Sequence, residues 1–593
     1  MEIETVIQKV ETPQQWSQLQ IAMDAARVVG LDIETTPVRW YEDGFRILTV
    51  AFSTEEGHAF VVPVQHPETE PGVAAQLIRL KNEIEGFKGN FIMQGGDFDH
   101  MALRKFGIDL LSWDDTMVME YLIDVDARKR LQDLAKRYLD IDKWKDINYK
   151  KPEEEDLDTL MRLNGRDADV TRRLDAILQS KVEESGKEIL YDGLMMPVIE
   201  VLCDMEWAGI PVDKDRLLNL IDETERQIER VLDSIREISG KGTGKGLFNP
   251  NSFKQLGKLL YGELGLPCVM WTDKGAPSTS AEALRKIKHK HRIVPMVMEY
   301  RKLRKLYTAS LQPWFDKLDK DNRLHPRYKP AHVKTGRLAS EMPNIQQVPR
   351  GAPREVFGGV VGYKMVEIDF SQMELRIVAW TAGEKTMLDA FARGDDLHQI
   401  TADAFGVDRQ TAKALNFGLL YGAGPRKLKW IAEEQYGVTL TELQATKLRL
   451  QWFKKYPGIQ DYHESAVREA YATGGISTAF GRWRPLPDIK SQEWGRRGGA
   501  ERQAINTPIQ SVASDITLVK LIEVAKHPSV LAAGIRPLAT VHDSILFLVP
   551  EPSLEVIPAI QRMMEDTSAF RGLFGVEIDV PIVTDVTIGD HWS

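Results

Sequence analysis

Cysteine is nearly absent. Cys203 and Cys268 are the two in 593 residues, too few for a disulfide framework or, by themselves, for a zinc cluster. Both read as buried thiols. Long apolar runs are also missing: no stretch of about 18 apolar residues occurs, so no membrane span is read. The opening MEIETVIQKVETPQQW is acidic and has no apolar centre, which argues against a secretory signal. A cytoplasmic protein is expected. There is no Gly-x4-Gly-Lys-Ser/Thr loop, so a P-loop ATPase is disfavoured. Internal repeats and low-complexity tracts are absent as well. Positive charge is not in excess: 77 Lys and Arg face 87 Asp and Glu, a net charge of −10. That balance argues mildly against a nucleic-acid partner, unless cations gather locally. They do gather, in RKIKHKHR (285–292), YRKLRKLY (300–307) and GRWRPLPDIKSQEWGRR (481–497).

What is present is an ordinary globular composition, 43% hydrophobic and 28% charged. The length calls for more than one core. Residues 1–185 read as an α/β unit, with short β-rich runs in ARVVGLDIETT, RILTVAFST and HAFVVPVQ and helical patterns from about Ala74 onward. From about residue 186 amphipathic helices take over. SGKGTGKGLFNPNS (239–252) reads as a loop. A helix-rich section spans roughly 383–475, and the end is β-rich. The expected class is mixed α/β and multidomain.

In GLDIETTP, Asp32 and Glu34 are two apart on a strand and so share a face. Like charges side by side repel unless neutralised, and hard oxygen ligands suit Mg²⁺ or Mn²⁺. A solvated strand end is the plain alternative. Two more acids strengthen the metal reading: Asp99, read just before a helix, and Asp167 near a helix start, where N-capping is its rival role. Four acids on three segments fit a two-metal phosphodiester hydrolase. A second set lies further on. In YKMVEIDFSQMELRIVAW a strand ends at Asp369 and leads into a helix from about Ser371, and Asp543 sits at a tight His542–Asp543 turn between strands. Paired strand ends of this kind would hold two Mg²⁺ for phosphoryl transfer.

DRQTAKALNFGLLYGAG (408–424) reads as a helix capped by Asp408. Arg409, Lys413, Phe417 and Tyr421 recur every four residues. Each step drifts about 40° and rises about 6 Å, giving one slanted stripe that changes from cation to ring. The cations lie at the helix N-terminus, where free N–H groups already favour an anion. A triphosphate would lie there, with sugar or base against the rings. An amphipathic helix with exposed cations and two core rings is the plain alternative.

Taken in order along the chain, these motifs resemble the DNA polymerase I-type (family A) DNA polymerases with a 3′→5′ exonuclease domain. Asp32, Glu34, Asp99 and Asp167 match the exonuclease acids; Asp369, the helix at 408–424 and Asp543 match motifs A, B and C. TGRLASEMPNIQQVP and ERQAINTPIQSVASDI resemble further stretches of that family. The resemblance implies an RNase H-like (DnaQ-like) exonuclease domain at 1–185 and a right-hand polymerase at 186–593. In the hand, the thumb would be 186–320, the palm 321–400 and 500–593, and the fingers 401–499. It implies two Mg²⁺ per active site, with Mn²⁺ as substitute. Asp369, the Phe370 carbonyl and Asp543 would be the polymerase ligands.

The same resemblance implies dNTP contacts at Arg409, Lys413, Phe417, Tyr421, Gln372, Glu374, His398 and Arg350, with Lys413 able to act as general acid. Primer–template contacts are implied at Arg337, Arg502, Asn506, Gln510 and His542. Glu374 would exclude ribonucleotides sterically; Ser371-x-x-Glu374 also fits a capping box. Phe417 in place of Tyr implies discrimination against dideoxynucleotides. Two departures stand out. Leu163 replaces a Tyr that orients the attacking water, so either another group orients it or the exonuclease is weakened. Ser544 replaces the Glu of His-Asp-Glu in motif C, implying altered metal affinity or rate. A phage-type replicative enzyme without a 5′-nuclease domain is expected. It would act as a monomer on primer–template DNA and dNTPs, alongside helicase, primase or single-strand-binding partners.

Overall fold

The run VVGLDIET forms a strand because β-branched residues suit a pleated, half-buried surface. In the computed structural model, which describes residues 4–69, 72–144, 151–240 and 248–593, it is the second strand of a six-stranded sheet. The strands are β1 (Val6–Lys9), β2 (Val28–Thr35), β3 (Ile47–Glu55), β4 (His58–Pro63), β5 (Asn90–Met93) and β6 (Trp113–Asp115), in the order β1-β4-β3-β2-β5-β6. β2, β3 and β4 are an antiparallel meander; β1 joins β4 in parallel, and β5 and β6 extend the other side in parallel. The helices that matter for function are α1 (Asp97–Lys105), α2 (Thr116–Ile123) and α3 (Leu157–Glu184).

α3 corrects the reading of Asp167. The helix begins far earlier, where the Asp156 side chain accepts the Thr159 amide at 2.8 Å, so Asp167 lies mid-helix and caps nothing. Asn164 and Gly165 are weak helix formers, but tertiary packing overrides propensity. A Cβ on Gly165 would come 2.5 Å from Ile7, and one on Gly30 would come 2.2 Å from the Ala168 carbonyl oxygen. Glycine at these two places lets α3 lie directly on the sheet. Asp99 likewise sits inside the first turn of α1, not before it.

The C-terminal half is built on a four-stranded sheet of β7 (Tyr363–Phe370), β8 (Arg536–Val541), β9 (Ser544–Pro550) and β10 (Thr584–Gly589), ordered β8-β9-β7-β10. β8 and β9 form a hairpin in which Val541 pairs with Ser544. The helices of this half that matter for function are α4 (Met373–Ala382), α5 (Leu397–Phe405), α6 (Arg409–Leu420) and the long α7 (Trp494–Lys526).

Internal packing gathers the chain into two units: Met1–Ala208 with Tyr328–Ser340 and Glu367–Thr587, and Gly209–Arg327 with Glu341–Val366 and Ile588–Ser593. This division differs from the expected 186–320 segment. The helix Met196–Ala208 packs with the first unit, through Arg104–Asp204 at 2.6 Å and Arg39–Glu206 at 2.8 Å. The second unit has its own core, in which Ile228 and Ile235 of helix Lys214–Ser239 cluster with Val294 and Val297 of Ile293–Leu306. The loop expected at 239–252 lies partly outside the described residues. Arg482, within one of the cation-rich stretches, is not a surface charge: it is buried and paired with Asp515 at 2.8 Å.

Candidate active sites

The first site forms where β2 meets α3. Asp32 and Glu34 alternate with buried Leu31, Ile33 and Thr35, which leaves both acids on the half-open face of the strand. Gly30, two residues earlier on that face, admits α3 and with it Asp167. A carboxylate oxygen from each of Asp32, Glu34 and Asp167 lies within 4.8 Å of the others. Asp99 is buried nearby. Its carboxyl is pushed well above the ordinary range, by burial first and then by the charges of Asp32, Asp97, Asp115 and Glu34. Asp115 is raised to about 6 by burial, against the pull of the Gly96, Gly95 and Met117 amides. So many buried acids call for a cation, and an all-oxygen donor set fits a hard divalent ion.

Side-chain donors hold the acids in place. Asn164 Nδ2 donates to Asp32 Oδ2 at 2.7 Å, and its Oδ1 accepts from Thr49 Oγ1 at 2.8 Å. Trp144 Nε1 donates to Asp167 Oδ1 at 2.8 Å. A cavity of about 340 Å³ beside Asp167 is bordered by Arg130 and Lys143. Sequence patterns did not mark Asn164, Trp144, Arg130 or Lys143, because each acts across the fold. Leu163, one turn before Asp167, is 1% exposed.

The second site lies at the β7–α4 junction and the β8–β9 hairpin. The Phe370 amide donates to the Asp543 carbonyl at 3.1 Å, which brings the ends of the two motifs together. Asp369 is exposed and Asp543 half-buried. Burial raises the Asp543 carboxyl, while Arg337 and His542 oppose the rise. Gln372 and His542 take φ of +55° and +56°. Non-glycine residues pay for that left-handed conformation, and such strain collects at functional junctions.

Glu374 corrects the capping-box reading. Helix α4 starts at Met373 after Gln372, and no side chain caps it. Glu374 instead pairs with Arg337, so the cation expected on primer–template is engaged by this carboxylate. Burial raises the Glu374 carboxyl to about 7, with Arg337 pulling it down and Asp543 pushing it up.

The stripe on α6 is the open side of a buried helix. Arg409 is exposed and Lys413, Phe417 and Tyr421 are half-buried, whereas Ala412, Ala414, Leu415, Asn416, Leu419 and Leu420 are buried. The rings are therefore not core residues, which removes the plain amphipathic reading. Asp408 caps the helix, accepting the Thr411 amide at 2.9 Å. Arg409 is held by Asp396 at 2.8 Å. His398 lies behind the stripe. It is 3% exposed, bonded to Asn416 at 3.0 Å and 5.5 Å from the Phe417 ring. Burial holds its imidazole down to about 4, with Arg409 and Lys413 acting in the same direction and Asp396 against it.

On α7, Arg502 is exposed and Asn506 and Gln510 half-buried, while Ala504, Ile505, Thr507, Pro508 and Ile509 are buried. These three form an open stripe like that of α6. Gln372 Oε1, Asn506 Oδ1 and Tyr421 Oη are buried without a hydrogen-bond partner, as are several groups elsewhere in the chain. Arg350 is exposed and belongs to the second packing unit.

Comparison with known proteins agrees with this layout. Residues 214–593 match the model described as DNA polymerase family A, and residues 7–183 match one described as 3′-5′ exonuclease. The chain belongs to DNA polymerase family A and carries a 3′-5′ exonuclease domain ahead of its polymerase domain. It is 32% identical to DNA polymerase I of Pseudomonas aeruginosa, over 96% of this chain and 64% of that protein. Against DNA polymerase I of Rhizobium leguminosarum it is 32% identical, over 87% and 52%. The DNA polymerase of Bacillus phage SP01 is 29% identical, over 92% and 68%. The chain thus spans about half to two-thirds of these relatives. A solved structure, the POL domain of Pol1 from M. smegmatis in complex with DNA primer-template and dNTP, superposes with a TM-score of 0.83 at 26% identity over 99% of both chains. Among the described residues, no helix is long and apolar enough to cross a membrane.

Proposed function

We propose that the chain is a template-directed DNA polymerase with a 3′→5′ proofreading exonuclease. The observation that carries the reading is the pinning of Asp543 to the end of the Asp369 strand by the Phe370 amide, together with the open stripe of two cations and two rings at 409–421. Residues 1–185 act as the exonuclease domain, with thumb 186–320, palm 321–400 and 500–593, and fingers 401–499. Asp369, Asp543 and the Phe370 carbonyl would hold two divalent ions, Mg²⁺ or in substitution Mn²⁺. When bound, such ions lower the pKa of the attacking hydroxyl and neutralise charge at phosphorus.

The protein's own residues do the rest. Arg409 and Lys413 meet the triphosphate, and Lys413 protonates the departing pyrophosphate. Phe417 and Tyr421 take sugar and base. Glu374 fills the space of a ribose 2′-OH, with Gln372 beside it, and His398 supports Phe417 from behind. Arg337, Arg502, Asn506, Gln510 and His542 face the primer–template. Minor-groove acceptors occur on every base pair, so such contacts test pair geometry without reading sequence. In the exonuclease, Asp32, Glu34, Asp99 and Asp167 would hold the ions, and Arg130 and Lys143 border the path of the strand. The enzyme works in the cytoplasm as a monomer on primer–template DNA and dNTPs, with helicase, primase or single-strand-binding partners. For a phage-type role the relative from phage SP01 speaks, against mostly bacterial relatives.

Primer extension tests the reading. Asp543→Ala abolishes extension and leaves single-strand degradation intact; a variant that still extends primers removes the assignment.

A further inference from the structure

The hairpin that carries Asp543 lacks the acid that the family places after it. Ser544 stands there, 1% exposed. Its hydroxyl points across to the neighbouring strand and donates to Glu367 Oε1 at 2.7 Å, with the Val541 carbonyl 3.0 Å away. Glu367 is on β7, two residues before Asp369. Strand geometry therefore puts both carboxylates on one face, the face on which Glu367 is half-buried and Asp369 exposed. β7 lies directly beside β9 in the sheet.

From this we infer that Glu367 supplies the carboxylate that motif C lacks: the third acid of the polymerase site has moved from the hairpin to the adjacent strand. The inference rests on the polymerase reading of this site. Its physical basis is a matched pair. A glutamate at 544 would meet Glu367 across the strands, and like charges in that position repel. A serine removes the clash and lends a hydroxyl that fixes the Glu367 rotamer. The negative charge beside Asp369 and Asp543 is kept, but it enters from β7. Glu367 acts as a positioning residue, setting the field around the two metal-binding aspartates and the orientation of the hairpin.

The test uses the full chain with the exonuclease silenced by Asp32→Asn and Asp167→Asn, bound to dideoxy-terminated primer–template and dNTP so that no turnover occurs. Mn²⁺ affinity is read by electron paramagnetic resonance, and the melting temperature is recorded alongside. Glu367→Gln keeps the shape and the acceptor for Ser544 but loses the charge. It should weaken Mn²⁺ binding by about 10- to 100-fold, the usual effect of removing a supporting partner of a metal ligand, at unchanged melting temperature. Ser544→Glu alone should weaken binding and lower the melting temperature. Adding Glu367→Ser to it should restore both, because the acid then enters from the hairpin instead. Unchanged Mn²⁺ affinity in Glu367→Gln, or a double variant no better than Ser544→Glu, overturns the inference. Failure of the unsubstituted protein to extend primers at all would instead remove the polymerase reading on which it stands.

Discussion

The two carboxylate sites are assembled by different means. In the exonuclease domain Asp32, Glu34 and Asp167 converge within 4.8 Å, and side-chain donors reach two of them, Asn164 to Asp32 and Trp144 to Asp167. In the polymerase domain the backbone does the fixing, through the Phe370 amide and the left-handed Gln372 and His542. The charge balance differs too. Acids crowd the first site, and burial together with the neighbouring charges pushes the Asp99 carboxyl well above its ordinary range. The second site has Arg337 on Glu374, and the α6 cations lie on the helix that would receive triphosphate. One site thus gathers carboxylates. In the other, Gln372 Oε1, Asn506 Oδ1 and Tyr421 Oη are buried without a hydrogen-bond partner.

After the loss expected of Asp543→Ala, the largest effect separates the sites by their cations. Lys413→Ala removes the half-buried cation of α6. If it donates a proton to pyrophosphate, single-nucleotide incorporation in rapid-quench experiments falls by about 10²- to 10⁴-fold, with single-strand degradation unchanged. A drop confined to dNTP affinity would leave Lys413 as a phosphate anchor only.

Next is the side-chain scaffold of the exonuclease. Asn164→Ala removes the Asn164 Nδ2 bond to Asp32 and the acceptor of the Thr49 hydroxyl. Loss of such a supporting bond should cost about 10- to 100-fold in degradation rate, with primer extension intact. Equal losses in both activities would mean that α3 has been disturbed as a whole.

A smaller effect concerns Glu374 and pH. Its carboxyl is raised to about 7 in the fold, so the folded state binds the proton more tightly than the unfolded chain does. Stability then falls as pH rises from the ordinary glutamate range through about 7. Glu374→Gln should remove that slope and melt higher than the unsubstituted protein above neutrality. Above about 7 the ionised form also holds Arg337 most firmly. Glu374→Ala should admit ribonucleotides and free Arg337. Unchanged sugar selection would leave Glu374 as the partner of Arg337 alone, since the cap at α4 is not its work.

What could be read from the sequence was local. The alternation around Asp32 and Glu34, the Asp408 cap and the four-residue stripes on α6 and α7 depend on spacing within one element, and spacing is written in the chain. What could not be read was the choice of distant partner. Asp167 looked like a helix start because Asn164 and Gly165 precede it, yet both are there to fit Asp32 and Ile7 from other elements. Ser371-x-x-Glu374 has the letters of a capping box, but Gln372 turns left-handed and Glu374 goes to Arg337. Arg482 sits in a cation-rich stretch, and only the fold reveals Asp515 beneath it.

Leu163 offers the smallest effect and the finest comparison. It stands one helical turn before Asp167, so the two side chains share a face of α3. At this place the family has a tyrosine that orients water, whereas leucine has no hydrogen-bonding group. Being 1% exposed, Leu163 contributes packing, and the site relies on Asn164 and Trp144 for order. Leu163→Tyr would put a hydroxyl beside Asp167 at the cost of a larger ring in a filled space. Such overpacking costs about 1–3 kcal/mol, so the melting temperature should drop modestly. If the hydroxyl reaches the water position, degradation of single strands speeds up despite that loss, measured on a 5′-labelled oligonucleotide under single-turnover conditions. A rate that is unchanged or lower, at a modest loss of stability, means that the scaffold around Asp167 has closed the tyrosine's position, and that the water is ordered by a group on another element.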